Sequence, residues 1–232
     1  MIKNYNDFVE TLLSAGFSMA GGSTDGIYAI VDWGWNEAIP YETPIRWHTG
    51  DKDTDPWEWR IRVLDERKDI AYAKVFFKKS GFITKEWYPY FLAARRGGDS
   101  FEDAYKSGTI SYAAKRIYDV VAQNGTMPTH LMRQAAGFSA KEDKSAFDKA
   151  LTELQMQMFL TMCGRAYKTL VQEESGCWAS TVFCTTESYF GDAVFEQAEK
   201  IEKDEACEKI TEQILCLNPS AQGKKIKKFI FG

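Results

Sequence analysis

SAKEDKSAFDKALTELQMQMFLTMCGRAYKTLVQEESGCWASTVFCT (139–185) changes its hydrophobic period part-way along, and that change decides the fold. Phe147, Ala150, Leu151, Leu154 and Met158 recur at three-and-four spacing, which predicts a helix with one apolar stripe. Ser139 to Glu142 has capping-box spacing and predicts where that helix begins. After Met158 the helical period is gone: Phe159–Val171 and Trp178–Thr185 are rich in Thr, Tyr, Val and Phe. Glu173-Glu174-Ser175-Gly176 lies between them, with Gly where a positive φ suits a turn. The stretch therefore reads as a helix running directly into a β-hairpin.

Two shorter helices precede it. Ser111–Gln123 carries Ile117, Val120 and Val121 at helical spacing and stops at Asn124-Gly125, because Gly accepts the left-handed conformation without a Cβ clash. Pro128 suits the first turn of the next helix, where Leu131, Met132 and Ala135 are apolar and Gly137 ends the run. Three helices followed by a two-stranded wing is the order of a winged helix. The expected fold is α+β, with the winged helix at 108–190, a Trp-rich α+β region at 1–107 before it, and a helical tail at 191–232. On the third helix Lys144, Ser145 and Lys149 oppose the apolar stripe and are expected to face a major groove. Arg165 and Lys168, at the hairpin, are expected near the phosphate backbone.

Composition narrows the rest. The chain has 232 residues, enough for a sizeable core, and a net charge of −4, which argues against tight non-specific nucleic-acid binding by the whole surface. Tyr105–Leu170 holds nine Lys or Arg against five Asp or Glu, an excess of +4, so the remainder carries −8. A basic module in an acidic protein suits DNA held on one face. No apolar stretch approaches membrane-spanning length, and Asp7 and Glu10 at the start do not suit a leader peptide. Five cysteines without a CxxC, and only two histidines, predict a reducing cytoplasm, no disulfide framework, no metal site and no cofactor.

Elsewhere local signals are plain. Residues 3–15 predict a helix with Phe8, Leu12 and Leu13 inward. Ser18–Ser23 is a glycine-rich loop lacking phosphate-loop spacing, and Ile27–Trp33 is a β-rich run. A hairpin is expected from Ile70–Phe77 and Phe82–Thr84 about Lys78-Lys79-Ser80-Gly81. Helices are expected from Tyr88 to Gly97, from Ser100 to Gly108, at Asp192–Lys200 and at Asp204–Leu217, and Pro219 leads into a basic tail, Lys224-Lys225-Ile226-Lys227-Lys228.

Trp33, Trp35, Trp47, Trp57 and Trp59 crowd into 27 residues, interleaved with Asn36, Glu37, Arg46, His48, Asp55, Glu58 and Arg60. Indoles offer flat faces for a base, so these tryptophans with His48 and Arg60 are a candidate pocket, with Glu37, Asp55 or Glu58 as candidate acid/base carboxylates. Equally, the five indoles pack a segment poor in regular structure. The alternation Trp57-Glu58-Trp59-Arg60 suggests an extended conformation with the tryptophans on one face.

AYAKVFFKKSGFITKEWYPYFLAARRGG (71–98), GTISYAAKRIYDVVAQNG (108–125), FDKALTELQMQMFLTMCGR (147–165) and WASTVFCTTESYF (178–190), in this order and spacing, resemble the winged-helix family of AlkZ-type DNA glycosylases. The match is clearest to its shorter, AlkZ-related members. The resemblance implies a double-stranded DNA partner and a link to repair of alkylated bases and interstrand crosslinks. The longer enzymes carry an early Gln-apolar-Gln or Gln-apolar-Asp triplet that positions water. Here Gln155-Met156-Gln157 is the triplet present, late in the chain at a helix end, with its two glutamines about 200° apart. It reads as structural. Three functions follow: a DNA-binding protein related to the glycosylases, an active glycosylase using a carboxylate beside the tryptophans, or a protein- or ligand-binding module on the same scaffold.

Overall fold

The computed structural model describes residues 1–167 and 179–232. The first part runs α1 (Tyr5–Ala15), β1 (Phe17–Met19), α2 (Pro56–Glu66), β2 (Ile70–Phe76), β3 (Lys79–Thr84), α3 (Tyr88–Arg96) and α4 (Phe101–Lys106). It continues with α5 (Tyr112–Asn124), β4 (Thr126–Pro128), α6 (Thr129–Ala135), α7 (Lys144–Met156), β5 (Leu160–Tyr167) and β6 (Ala179–Thr185). Four helices follow: α8 (Thr186–Phe190), α9 (Asp192–Ala198), α10 (Lys203–Leu217) and α11 (Gly223–Phe231). The fold is α+β.

Local chemistry sets most starts and stops. Asn4 caps α1 by accepting from the Asp7 N–H, and Gly16 ends it at φ 86°. Asp55 caps α2, with Pro56 in the first turn, where its missing N–H costs nothing. Ser100 and Asp103 form a reciprocal capping box on α4. Ser111 caps α5 and Gly125 follows it at φ 74°. Each cap of this kind contributes about 1 kcal/mol.

Among the described residues the strands form one antiparallel sheet in the order β1-β3-β2-β5-β6-β4. Tyr72 opposite Met162 joins β2 to β5, so strands from both halves of the chain share one sheet. Apolar side chains gather in three clusters. Phe8, Leu12, Trp33 and Trp59 belong to the first; Phe76, Phe91, Ile210 and Phe229 to the second; Ile117, Phe147, Leu154 and Phe159 to the third. Burying one such Phe or Leu stabilises by about 1.5–3 kcal/mol. Gly81 lies in β3 because a Cβ there would strike the Phe76 ring and come within 2.9 Å of the Ser18 carbonyl.

Several expectations are corrected. Trp57-Glu58-Trp59-Arg60 is helical, because the Asp55-Pro56 start signal overrides its two-residue alternation. The two indoles thus fall on different faces, Trp59 buried and Trp57 exposed. Ile27–Trp33 is largely buried but makes a single isolated bridge, Met19 to Ala29. The β2–β3 turn is the two-residue Phe77-Lys78, and Lys79-Ser80-Gly81 already belongs to β3. α7 begins at Lys144, not at a Ser139 cap: the Asp143 carboxylate instead accepts from the Ala140 N–H. Met158 is buried beyond the end of α7, at φ 59°. Leu13 is exposed, and the basic tail is helix α11. Strands β5 and β6 follow α7 where the period changes; the Glu173–Gly176 turn and Lys168 lie outside the described residues.

Candidate nucleic-acid interface

Helix α7 turns Phe147, Ala150, Leu151 and Leu154 into the core. The register of that stripe leaves Lys144, Ser145, Asp148 and Lys149 exposed on the opposite side. Glu153 is engaged elsewhere, accepting from the N–H of Ser111 at 2.6 Å and from its hydroxyl at 2.9 Å, which anchors α5 on α7. Lys149, Asp148 and Thr152 line a cleft of about 540 Å³ with Lys78, from the β2–β3 turn, and Phe231. Arg165 is half-buried on β5 and lies 3.9 Å from Glu58 on α2, so its charge faces the Trp-rich segment.

Gln155 is buried. Its Oε1 accepts from the Lys74 N–H at 2.9 Å, at the irregularity in β2 where pairing with β3 shifts register, and its Nε2 donates to the Leu151 carbonyl at 3.0 Å. Gln157 is half-buried at the end of the same helix. Gln155 is a tie between helix and sheet.

The five clustered tryptophans divide into three sets by exposure. Trp33 and Trp59 are core: Trp33 packs edge-on to Tyr41 at 5.2 Å, and Trp59 stacks on Phe8 at 5.0 Å while donating to the Asp53 carbonyl. Trp47 is half-buried and donates to the Trp33 carbonyl at 3.1 Å. Trp35 is 72 % exposed and Trp57 43 % exposed. His48 sits between these two, 6.2 Å from the Trp35 ring and 4.9 Å from Trp57. The Arg60 guanidinium lies 3.2 Å over Trp57, and its Nε donates to the Trp57 carbonyl. An exposed aromatic face with a cation stacked on it therefore forms where sequence brought the residues close.

Asp55 holds that face from below. It is fully buried, and its carboxylate accepts from the N–H groups of His48 (3.1 Å), Thr49 (2.8 Å), Gly50 (2.9 Å) and Trp57 (2.8 Å). The loop closes so tightly that His48 takes φ +60°, a conformation costly for a residue with a Cβ. Glu37 is exposed and accepts from the Gly34 N–H at 2.7 Å. Trp35 also lines a cleft of about 320 Å³ with Gly21, Gly22, Asn36 and Lys79. Trp57, His48 and the three candidate carboxylates are not among the residues that line that cleft. Among the described residues no three His, Cys, Asp or Glu side chains gather as metal ligands.

Two elements named in the sequence were given no functional role there. Lys78 of the β2–β3 turn lines the α7 cleft, and Phe77 with Lys224, Lys225 and Lys228 of α11 lines a second cleft. The available signal for α11 was Ile226, Phe229 and Ile230 at three-and-four spacing among the lysines.

The chain belongs to the AlkZ-related family, which matches residues 2–231. That membership relates it to the DNA-repair glycosylases. No curated protein and no solved structure matches the chain. Among the described residues no helix is long and apolar enough to cross a membrane.

Proposed function

We propose that residues 108–190 form a winged helix that binds double-stranded DNA through the outer face of α7, in a protein related to crosslink- and alkylation-repair glycosylases. The observation that carries this reading is the exposed row Lys144, Ser145 and Lys149 on a helix whose opposite stripe is wholly committed to the core. The chain order α5-β4-α6-α7-β5-β6, with β4 paired to β6 and β6 to β5, supports it. The Trp35–His48–Trp57–Arg60 face then supplies stacking surface for a base or a distorted duplex. Electrophoretic binding to duplex DNA across a salt series tests it. Wild type should bind at low salt and weaken steeply as salt rises. Lys144→Glu/Lys149→Glu should lose most of the affinity while melting like wild type; unchanged affinity removes α7 as the contact.

A second reading, an active glycosylase, rests on Glu58. Asp55 spends its carboxylate on four N–H groups, and Glu37 is open to solvent. Glu58 is half-buried next in sequence to the exposed Trp57, with Arg165 at 3.9 Å as its cationic neighbour. Base release from alkylated duplex DNA by wild type, lost in Glu58→Gln, supports this reading. Release that survives Glu58→Gln and Glu37→Gln removes both carboxylates.

A further inference from the structure

A lysine-rich surface outside α7 is built by two segments far apart in sequence. Lys79, at the start of β3, and Lys224, Lys225 and Lys228, on α11, line one cleft of about 530 Å³ with Phe77, Gln222 and Asp25. All four lysines are exposed. The carboxylate in that lining, Asp25, is taken by Lys79 at 2.8 and 2.9 Å, and its backbone carbonyl accepts from Lys225 at 2.9 Å. Among the described residues, Lys224 and Lys228 make no ion pair.

The first turn of the helix carrying three of these charges is arranged against its own electrostatics, whereas Lys228 in its last turn suits the dipole. Its first turn has no acidic residue and no side-chain cap, and Lys224 and Lys225 stand at the positive end of the helix dipole. It stays helical because Ile226, Phe229 and Ile230 are buried, with the Phe229 ring stacked on Phe76 at 3.8 Å. The adjoining turn is also unfavourable. Phe77 and Lys78 both take positive φ, 52° and 62°, where such a hairpin ordinarily uses Asn or Gly. That turn fixes Phe77 against Phe229 at 5.9 Å and places Lys78 in the lining of the α7 cleft, with Lys149, Asp148 and Glu153. The β2–β3 turn and the start of β3 thus contribute Lys78 to the α7 cleft and Lys79 to the α11 cleft.

We infer that these lysines are a second phosphate-backbone contact, which extends a duplex held on α7 across the β2–β3 turn to the lysine face of α11. The inference rests on the DNA-binding reading above and adds the surface along which the duplex runs. A phosphodiester backbone fits because it is a linear array of single negative charges, matching lysines spread over two elements, and an uncapped helix start accepts phosphate oxygens through backbone N–H groups. An anionic bilayer fits less well, since an interfacial helix must give its apolar face to lipid and α11 has already buried that face.

The test uses the full chain and a labelled DNA duplex, from about 50 to 200 mM salt. Lys224→Gln/Lys228→Gln leaves the Lys225–Asp25 contact intact and alters exposed groups, and its thermal melt should match wild type. The expected result is a salt slope, in log affinity against log salt, shallower by about 2, and affinity lowered several-fold at the lowest salt. Lys78→Gln, in the turn, should flatten the slope by about 1. A wild-type slope in both variants, with binding lost in the α7 double variant, overturns the second contact and leaves the α7 reading standing. A flattened slope in both with the α7 variant unaffected supports the second contact and sinks α7. Wild type that fails to bind duplex at low salt overturns both. Binding to phosphatidylserine vesicles that is lost in Lys224→Gln/Lys228→Gln, with duplex binding unchanged, assigns the patch to membranes and overturns the inference.

Discussion

Arg95 donates through Nη1 to the backbone carbonyl of Met156 at 2.7 Å, which places a cation at the C-terminal end of α7. The same guanidinium donates to the carbonyls of Ile230 and Phe229 at 2.6 and 3.0 Å, at the end of α11. One side chain on α3 thereby satisfies carbonyls that two helix ends leave open. The residue is half-buried as a whole, yet desolvation of its charged end lowers its pKa to about 10, so it stays protonated at neutral pH.

Arg95→Met keeps much of the stem's volume and removes all three donors. It should destabilise by about 3–5 kcal/mol, since charged hydrogen bonds are lost and several acceptors go unpaired. Denaturant unfolding measures the loss, and hydrogen exchange should show α11 opening first. A variant as stable as wild type would mean that water replaces the guanidinium.

Asp55→Ala should cost about 2–4 kcal/mol, more than an ordinary cap, because three loop N–H groups lose their acceptor along with Trp57. Asp55→Asn should recover part of the loss. The local readout is tryptophan emission: with His48 no longer held at positive φ, the Trp35–His48–Trp57 face should loosen and its fluorescence should change before global unfolding. Full stability in the alanine variant would show that the loop carries itself.

What could be read from sequence was what local chemistry alone determines. The Ser100–Asp103 capping box, the Ser111 start, and the stops at Gly97 and Gly125 depend on neighbours within four residues, and the structure has them. The α7 stripe and the strands after it were legible because the hydrophobic period changes there. The Trp57–Arg60 segment was misread because two signals competed, and an N-cap followed by Pro outweighs a short alternation. β4 spans only Thr126–Pro128 and exists through its pairing with β6, a contact more than fifty positions away that no local pattern encodes. The candidate site divides the same way. Exposure of Lys144 and Lys149 followed from the stripe opposite, whereas the fate of each indole depended on what packed over it: Phe8 covers Trp59, and Trp35 remains open.

Asp69 gives an acid-side prediction. Arg67 donates to its carboxylate through Nε at 2.8 Å and Nη2 at 2.5 Å, and these hydrogen bonds hold its pKa below the ordinary carboxylate value. The folded pKa is depressed, so the contribution is present above the unfolded value, about 3.9, and is lost as pH falls through the lower folded value. Both side chains are partly exposed, so the effect should be below about 1 kcal/mol. Asp69→Asn should therefore be less stable than wild type at about pH 6, and the gap should close as pH falls below the unfolded value and through the lower folded one. A stability gap that persists unchanged at low pH would assign the effect to packing rather than charge.

The exposed aromatic face makes the last prediction. If Trp35 and Trp57 stack on bases, truncating them should weaken DNA binding without touching the core, because both rings are open to solvent while Trp33 and Trp59 carry the packing beneath. Trp35→Ala and Trp57→Ala should each cost about 1–3 kcal/mol in affinity for a duplex with an unpaired base, the range for one base–aromatic stack. The loss should be smaller on a fully paired duplex, where no base is free to leave the helix. Trp57→Ala should cost more than Trp35→Ala, because it also removes the surface under Arg60 and frees that guanidinium from its 3.2 Å stack. Trp59→Ala is the contrasting variant: it empties a buried site against Phe8 and should destabilise by about 3–5 kcal/mol. Equal affinity of wild type, Trp35→Ala and Trp57→Ala for both duplexes would remove this face from DNA contact and leave α7 to account for binding alone.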